Sequence, residues 1–329
     1  MRIAVLGAGA WGSALAISLS DRHSICMWTK DPDHAFEMNA QRINLRFFPG
    51  YPLPETLKIT SELSEALDCA DLAIIVVPVA GLRETLRAVA ANNVNIPIIW
   101  GCKGFESETC YLPHQIVGEE TALGLNCGVL SGPSFAEEVA RGLPTALTLA
   151  SSDSSFSNRV ATELHSSRLR IYTSPDVVGV ETGGAVKNVI TIAVGISDGI
   201  GFGHNARAAL ITRGLMEMTR LGLGLGGKTE TFMGLAGVGD LILTSTGDLS
   251  RNRQVGLLLA SGRTLHDILN ELGHVAEGVH TAKSVLELGN QLNIEMPITD
   301  AVCGILQGRF SARTAVEVLL NREQKSEVY

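Results

Sequence analysis

The sequence lacks three features that would define its class at once: a long apolar run, paired cysteines and an excess of positive charge. No apolar run reaches the roughly 18 residues that a membrane span requires. The six cysteines form no Cys-x-x-Cys pair and have no histidine-rich neighbourhood, which argues against a disulfide framework or a zinc site. The net charge of -8 argues against a nucleic-acid partner held by a general positive field. No signal core follows Met1, so we expect a cytoplasmic enzyme with no metal and no inserted membrane segment.

The pattern of apolar residues divides the chain into two parts. In the first part, short apolar runs alternate with helical patterns, which is typical of a doubly wound parallel sheet. Its predicted strands are 3–6, 25–28, 72–77, 96–100, 128–130, 146–150 and 170–172, and its predicted helices are 10–20, 82–91, 135–141 and 156–164. The second part has the 3.6-residue period of helices at 184–197, 206–223, 228–233, 237–244, 251–261, 265–272, 278–292, 298–307 and 312–320. We therefore predict a Rossmann-type α/β dinucleotide-binding domain over residues 1–180 and an all-α substrate-binding domain over residues 181–329.

A glycine-rich turn, Gly7-Ala8-Gly9-Ala10-Trp11-Gly12, follows the first predicted strand and begins a helix. In such a turn Gly7 permits the sharp bend, Gly9 lets the backbone approach a pyrophosphate, and Gly12 lets the helix pack closely. The free N–H groups at the helix N-terminus would bind the phosphates. A similar run at residues 222–227 has no preceding strand, and we predict a loop there.

The end of the second strand bears on the choice of nicotinamide cofactor. An NAD-selective site usually has an acidic residue at this point to bind the ribose 2′-hydroxyl. Here the strand ends with the cation Lys30, which favours the 2′-phosphate of NADP(H). Asp31 or Asp33 could still bind NAD, so both NADPH and NADH remain open.

Two further turns lie at the carboxyl ends of predicted strands, where such sheets bind ligands. Lys103 is flanked by glycines, and we expect its charge to meet cofactor or substrate. Ser134 is followed three residues later by Glu137, which is the pattern of a capping box. The same turn would present N–H groups to a ligand, so Ser134 has both interpretations.

The helical part contains a candidate proton donor, Lys187, in an otherwise apolar segment that begins with Gly183 and Gly184. An unpaired ammonium would be costly there, which implies a partner or a substrate. Asp240 is the best candidate carboxylate to hold it, although Asp240 could also be a helix-start residue. The two glycines are typical of a backbone that approaches a ligand closely.

The segment Ser250-Arg251-Asn252-Arg253 precedes another helical pattern. Ser250 as N-cap, the free N–H groups, Asn252 and the planar guanidinium of Arg251 would converge on an anion, so we predict a phosphate site. Ordinary helix capping with two solvent-facing arginines is the alternative.

Seven segments, in order, resemble the motifs of bacterial NAD(P)-dependent glycerol-3-phosphate dehydrogenases. They are residues 7–12, 100–104, 131–136, 183–189, 205–214, 237–241 and 250–253. The resemblance covers nearly the whole chain and implies reduction of dihydroxyacetone phosphate to sn-glycerol 3-phosphate for phospholipid synthesis. We also expect a homodimer.

The resemblance assigns roles to individual positions. It makes Lys187 the proton acceptor, and it implies substrate contacts for Lys103, Gly132, Ser134, Lys187, Asp240, Ser250, Arg251 and Asn252. Together with the glycine turn, it implies cofactor contacts for Gly7, Gly9, Ala10, Trp11, Gly12, Lys30, Lys103, Ala136, Arg251, Val275 and Glu277. Lys30 stands where the family has His or Arg.

Two other functions compete with this one. A reductase of the same two-domain design could act on a β-hydroxy acid or on ketopantoate, because an anion site also binds a carboxylate. A non-catalytic dinucleotide sensor would bind the cofactor without turnover and would not need Lys187.

Overall fold

The structure is a computed structural model that describes residues 1–92, 94–121, 125–272 and 276–320. Its strands are β1 (Arg2–Leu6), β2 (Ser24–Trp28), β3 (Ile43–Asn44), β4 (Phe48–Pro52), β5 (Lys58–Thr60), β6 (Leu72–Ile75), β7 (Ile98–Trp100), β8 (Cys127–Ser131), β9 (Thr145–Ala150) and β10 (Leu169–Ser174). Eight of them form one sheet in the order β10-β9-β8-β7-β6-β1-β2-β5, and β3 pairs with β4 separately.

The helices that accompany the sheet are α1 (Ala10–Leu19), α2 (Pro32–Gln41), α3 (Leu63–Leu67), α4 (Leu82–Ala91), α5 (Pro113–Glu120), α6 (Ala136–Ala140) and α7 (Ser154–Leu164). The helical part contains α8 (Val177–Ile200), α9 (Gly203–Gly224), α10 (Thr229–Phe232), α11 (Asp240–Thr246), α12 (Arg251–Ala260), α13 (Leu265–Leu272), α14 (Glu277–Gln291), α15 (Pro297–Leu306) and α16 (Ala312–Leu320). The predicted fold class, a Rossmann-type sheet followed by an all-α domain, is confirmed.

The sheet differs from the prediction in the direction of one pairing. Strands β5, β2, β1, β6, β7 and β8 run parallel, and β9 pairs with β10 in parallel, but β8 and β9 are antiparallel. The sheet is therefore mixed. Apolar periodicity identifies a buried strand but not its direction, because both faces of these strands are covered in either case.

Three short strands and three helices were not predicted. Strands β3 and β4 form a hairpin whose Phe48 packs on α1 beside Ala14, although Pro49, Gly50 and Pro52 break the apolar pattern of β4. Strand β5 and helices α2, α3 and α5 are short or polar, so their periodicity is weak. The predicted loop at 222–227 is also partly wrong, because α9 continues to Gly224.

Helix α8 is the central element of the helical part. It is buried almost continuously from Gly179 to Ser197. By length and composition it is the one helix among the described residues that could span a membrane, but 89% of its apolar window is buried inside the protein. Asp176 caps this helix by accepting a hydrogen bond from the backbone N–H of Gly179. The division predicted at residue 180 therefore lies inside its first turn.

Candidate active site

The glycine turn forms a cradle with open space above the N-terminus of α1. Gly7 has a φ of +122°, in the left-handed region that favours glycine. A Cβ on Gly12 would lie 1.9 Å from the carbonyl oxygen of Gly7, so only glycine fits there. At Gly9 a Cβ would meet nothing within 4 Å, and no side chain caps the helix. The first-turn N–H groups thus face an open cradle that suits the pyrophosphate of a dinucleotide.

After β2, Lys30 is exposed to solvent, and the nearby Asp31 is already hydrogen bonded within the protein. Lys30 is exposed and forms an ion pair of 4.0 Å with Glu84. Asp31 accepts hydrogen bonds from two backbone N–H groups at the start of α2 and pairs with Arg46 at 2.6 Å. Because its oxygens already hold these partners, Asp31 is poorly placed to bind a ribose hydroxyl.

The two lysines at strand ends are separated by a span suited to a dinucleotide. Lys30 follows β2 and Lys103 follows β7, and β1 and β6 lie between these strands. Three strand spacings amount to roughly 14 Å. An extended ligand lying across the glycine turn would therefore reach both ends.

The centre of the site is an aspartate held between two ammonium groups. Lys103 Nζ donates to Asp240 Oδ2 at 2.6 Å and to the carbonyl oxygen of Gly132 at 3.2 Å. Lys187 Nζ donates to Asp240 Oδ1 and, at 2.9 Å, to Thr244 Oγ1. Asp240 is 1% exposed, while the Lys103 side chain is 22% exposed. The structure thus joins β7, α8 and α11 at one buried carboxylate, and Lys103 faces solvent.

Burial and the neighbouring charges shift the pKa values of Lys187 and Asp240. Burial lowers the pKa of Lys187, Asp240 opposes this effect and Lys103 adds to it, and together they bring the pKa to about 7. Burial alone would raise the pKa of Asp240, but the two ammonium groups hold it below its usual range. Asp240 therefore stays ionised, and a lysine with a pKa of about 7 is suited to proton transfer near neutral pH.

Other protein atoms pack closely against Gly183 and Gly184 of α8. A Cβ on Gly183 would lie 2.4 Å from the carbonyl oxygen of Ala236, and one on Gly184 would lie 3.0 Å from Ser131 Oγ and 3.4 Å from Lys103 Cγ. The interpretation that they admit a ligand is therefore wrong, because the space is filled by the chain itself. They also lie within the second turn of α8, since the helix begins at Val177.

A short π-helical segment, Leu235–Gly239, leads into Asp240. Such segments are rare and occur often at functional sites. In this one, a Cβ on Gly237 would lie 2.1 Å from the carbonyl oxygen of Phe232. The tight turn thus depends on glycine, and it delivers Asp240 to the buried start of α11.

Thr244 was not among the site residues predicted from the sequence. Its hydroxyl donates to the carbonyl oxygen of Asp240 at 2.6 Å and accepts from Lys187. The signal was present, because positions four apart on a helix share a face.

The predicted phosphate segment begins α12, and its members do different things. Ser250 caps the helix by accepting from the backbone N–H of Arg253 at 3.3 Å. Arg251 is exposed, whereas Arg253 is bound to Asp198 at 2.8 Å. Arg251 is thus available to an anion and Arg253 is structural, so the alternative of two solvent-facing arginines is wrong for Arg253.

Asn252 joins the phosphate segment to α8 and α14. Its amide nitrogen donates to Asn188 Oδ1 at 2.9 Å, and its oxygen accepts from the backbone N–H of Gly278 at 3.1 Å. Asn188 is the residue that follows Lys187 on α8. Burial raises the pKa of Glu277, the first residue of α14, to about 7 against the opposing charge of Arg251.

The turn after β8 corrects the predicted capping box. Helix α6 has Phe135 as its N-cap and no side-chain cap. Ser134 Oγ donates instead to the carbonyl oxygen of Gly132 at 3.1 Å, and Glu137 accepts from Tyr51 at 3.3 Å. The pattern misleads because α6 begins one residue later than the box requires, which leaves Ser134 facing Gly132.

Three of the remaining predicted cofactor positions lie near the start of α1. Ala10, Trp11 and Ala136 pack against the small apolar cluster of Ala14, Phe48 and Val139, and the indole nitrogen of Trp11 would lie 3.3 Å from a Cβ on Gly101. Val275 lies outside the described residues. Among the described residues, no cluster of histidine, cysteine or acidic side chains could hold a metal ion.

Two family models together cover most of the chain. Residues 2–157 match the model of the NAD-dependent glycerol-3-phosphate dehydrogenase N-terminus, and residues 176–317 match the model of its C-terminus. The chain belongs to this family. It is thus an NAD(P)-dependent oxidoreductase, as the glycine cradle and the lysine–aspartate centre indicate.

Individual relatives agree with this assignment. The chain is 64% identical over its full length to the full-length glycerol-3-phosphate dehydrogenase [NAD(P)+] of Nitrosospira multiformis. It is 58% identical to that of Nitrosomonas eutropha, with 99% of each chain covered. The crystal structure of glycerol-3-phosphate dehydrogenase from Coxiella burnetii superposes with a TM-score of 0.93 at 44% identity, covering 98% of this chain and 99% of that one.

A more distant structure shares the fold alone. The ketopantoate reductase from Ralstonia eutropha gives a TM-score of 0.60 at 15% identity, with 96% of this chain and 100% of that chain covered. This likeness reflects the common two-domain design.

Proposed function

We propose that the chain interconverts dihydroxyacetone phosphate and sn-glycerol 3-phosphate with NADPH or NADH, and that Lys187 exchanges the proton. The observation that carries this proposal is the buried Lys187, held by Asp240 and Thr244 beside the partly exposed Lys103. An ammonium with a pKa near 7 suits a general acid in one direction and, as the amine, a general base in the other.

Each part of the site has a distinct task in this reaction. The bound nicotinamide supplies the hydride to the carbonyl carbon. Lys187 donates a proton to the carbonyl oxygen, and Asp240 keeps both ammonium groups oriented. Lys103, which reaches solvent, is placed to bind the substrate oxygens. The start of α12, with Ser250 and Arg251, binds the phosphate; the turn at Gly132 and Ser134 and the amide of Asn252 complete the substrate contacts.

The cofactor proposal rests on the cradle and its surroundings. The glycines of the turn and the N-terminus of α1 bind the pyrophosphate, while Trp11, Ala10 and Ala136 line the cleft. Lys30 faces the adenosine ribose, and Lys103, Arg251, Val275 and Glu277 complete the predicted cofactor contacts.

The remaining features of the proposal concern the whole chain. Residues 1–180 bind the dinucleotide and residues 181–329 bind the substrate. The enzyme acts as a cytoplasmic homodimer and supplies glycerophospholipid synthesis, without a nucleic-acid partner or an inserted membrane segment. Light scattering coupled to gel filtration tests the dimer, since a single protomer mass would contradict it.

The experiment that tests the reaction follows nicotinamide absorbance with each reduced cofactor. We expect turnover with dihydroxyacetone phosphate and little with dihydroxyacetone, because only the phosphorylated ketone engages Arg251. Equal rates with both ketones would contradict the proposal that the site binds the phosphate group. Turnover of ketopantoate in place of dihydroxyacetone phosphate would favour the alternative reductase, and cofactor binding without turnover of either would favour a sensor.

A further inference from the structure

A buried carboxylate lies outside the proposed chemistry. Glu181 is on α8, and its side chain has no exposed surface. Its Oε1 accepts hydrogen bonds from Trp100 Nε1 at 2.7 Å and from the backbone N–H of His114 at 2.9 Å. Its Oε2 contacts His114 Nδ1 at 2.5 Å. All three contacts come from the dinucleotide-binding part, so Glu181 links the two halves of the molecule.

Stability alone does not account for a carboxylate at this position. Burial raises the pKa of Glu181, and the bonds from His114 and Trp100 only partly oppose that effect. An apolar side chain of similar size often serves a protein core equally well. Apolar contacts already exist here, since Val180 and Ala236 pack in the same core cluster as Trp100. The carboxylate adds directional contacts. A hydrogen bond fixes the relative position of two packed elements, whereas apolar faces can slide past each other.

The position of Glu181 relates the two lysines of the site. Trp100 ends β7, three residues before Lys103, and Glu181 precedes Lys187 on α8 by six residues. Six helical residues span about 9 Å along the axis. The bond between Trp100 and Glu181 therefore ties the backbone that carries one ammonium group to the backbone that carries the other.

We propose that Glu181 is a positioning residue that sets the separation of Lys103 and Lys187 on either side of Asp240. It acts through Trp100 and His114 and touches neither substrate nor cofactor. This inference rests on the proposed function, because it assigns a further residue to the same reaction.

Three variants and a matched control test the role. Glu181→Leu removes the acceptor, Glu181→Gln keeps an oxygen for Trp100, and Trp100→Phe removes only the indole N–H. Glu217→Leu is the control. Glu217, on α9, is 1% exposed and accepts hydrogen bonds from the backbone N–H groups of Ile298 and Thr299 on α15. Each variant is assayed for kcat and KM with dihydroxyacetone phosphate, for NADPH affinity and for Tm.

We expect Glu181→Leu to lower kcat by at least about tenfold, because small displacements of reacting groups cost rate steeply. NADPH affinity should stay near the wild-type value. Glu181→Gln should restore most of kcat, and Trp100→Phe should give an intermediate loss. Glu217→Leu should lower Tm while leaving kcat unchanged. If Glu181 had a merely structural role, Glu181→Leu would give this same result.

Wild-type kcat in a folded Glu181→Leu variant overturns the positioning role. If that variant does not fold, Trp100→Phe decides, and an unchanged kcat there overturns the role as well. A wild-type chain without turnover overturns the proposed function and this inference together. If the wild-type protein turns over substrate and the variants keep its kcat, only the positioning role is overturned, and the proposed function remains.

Discussion

Replacing Asp240 with asparagine should shift the pH dependence of the reaction to lower pH. The substitution keeps the size of the side chain but removes the negative charge between Lys103 and Lys187. Two unit charges 4 Å apart interact by about 4 kcal/mol at an effective dielectric constant of 20. At 1.36 kcal/mol per pH unit, loss of an attraction of this size moves the midpoint down by about three pH units.

We expect a shift of about two pH units in the D240N variant, because Lys103 is 22% exposed and can turn toward water. In the wild type, ketone reduction should fall as pH rises through about 7, where the Lys187 ammonium loses its proton. In the variant, the ammonium fraction at pH 7 is about 50-fold smaller. A stronger acid recovers part of this loss, so we expect kcat/KM to fall between about 10-fold and 50-fold at pH 7. The reverse reaction loses the same factor at this pH, since the overall equilibrium fixes the ratio of the two.

The assay is the pH profile of kcat/KM for dihydroxyacetone phosphate reduction between pH 5 and pH 9. Asp248→Asn is the control, because Asp248 is 96% exposed and its ion pair is with Arg253, away from Lys187. A D240N profile that keeps the wild-type midpoint would refute the assignment of the titrating group to Lys187. An equal shift in the control would refute the local charge argument.

Three further changes test separate parts of the site. Lys187→Ala should lower kcat by about a thousandfold, as loss of a general acid does, with NADPH affinity by fluorescence titration retained; unaltered kcat would contradict the assignment of the proton exchange to Lys187. Gly12→Ala should lower both Tm and NADPH affinity, because its Cβ would lie 1.9 Å from the Gly7 carbonyl oxygen, and calorimetry that finds the wild-type Tm would contradict this contact. Arg251→Ala should weaken dihydroxyacetone phosphate binding by about 2 kcal/mol, as loss of a charged hydrogen bond does, while the slow rate with dihydroxyacetone stays the same; equal losses for both ketones would argue against a phosphate contact.

The local patterns of the chain were sufficient for the fold class and for naming most residues of the candidate site. The turn at residues 7–12 was predictable because its glycines and the strand before it are adjacent in sequence. The helical part was predictable because a 3.6-residue period persists over long segments such as α8 and α9. Lys187 was predictable because a lysine in an apolar segment needs a partner.

Tertiary structure alone decided which of these groups meet and what they do. Lys103 and Lys187 contact Asp240 across sequence separations of 137 and 53 residues, which no local pattern encodes. Glu181 shows the same limit, because its partner Trp100 lies 81 residues away on a strand. The antiparallel pairing of β8 and β9, the filled space beside Gly184 and the misjudged cap at Ser134 also depend on packing. A residue's type reveals that burial or charge requires a partner, but the partner is set by which backbones the folded core brings within hydrogen-bond distance.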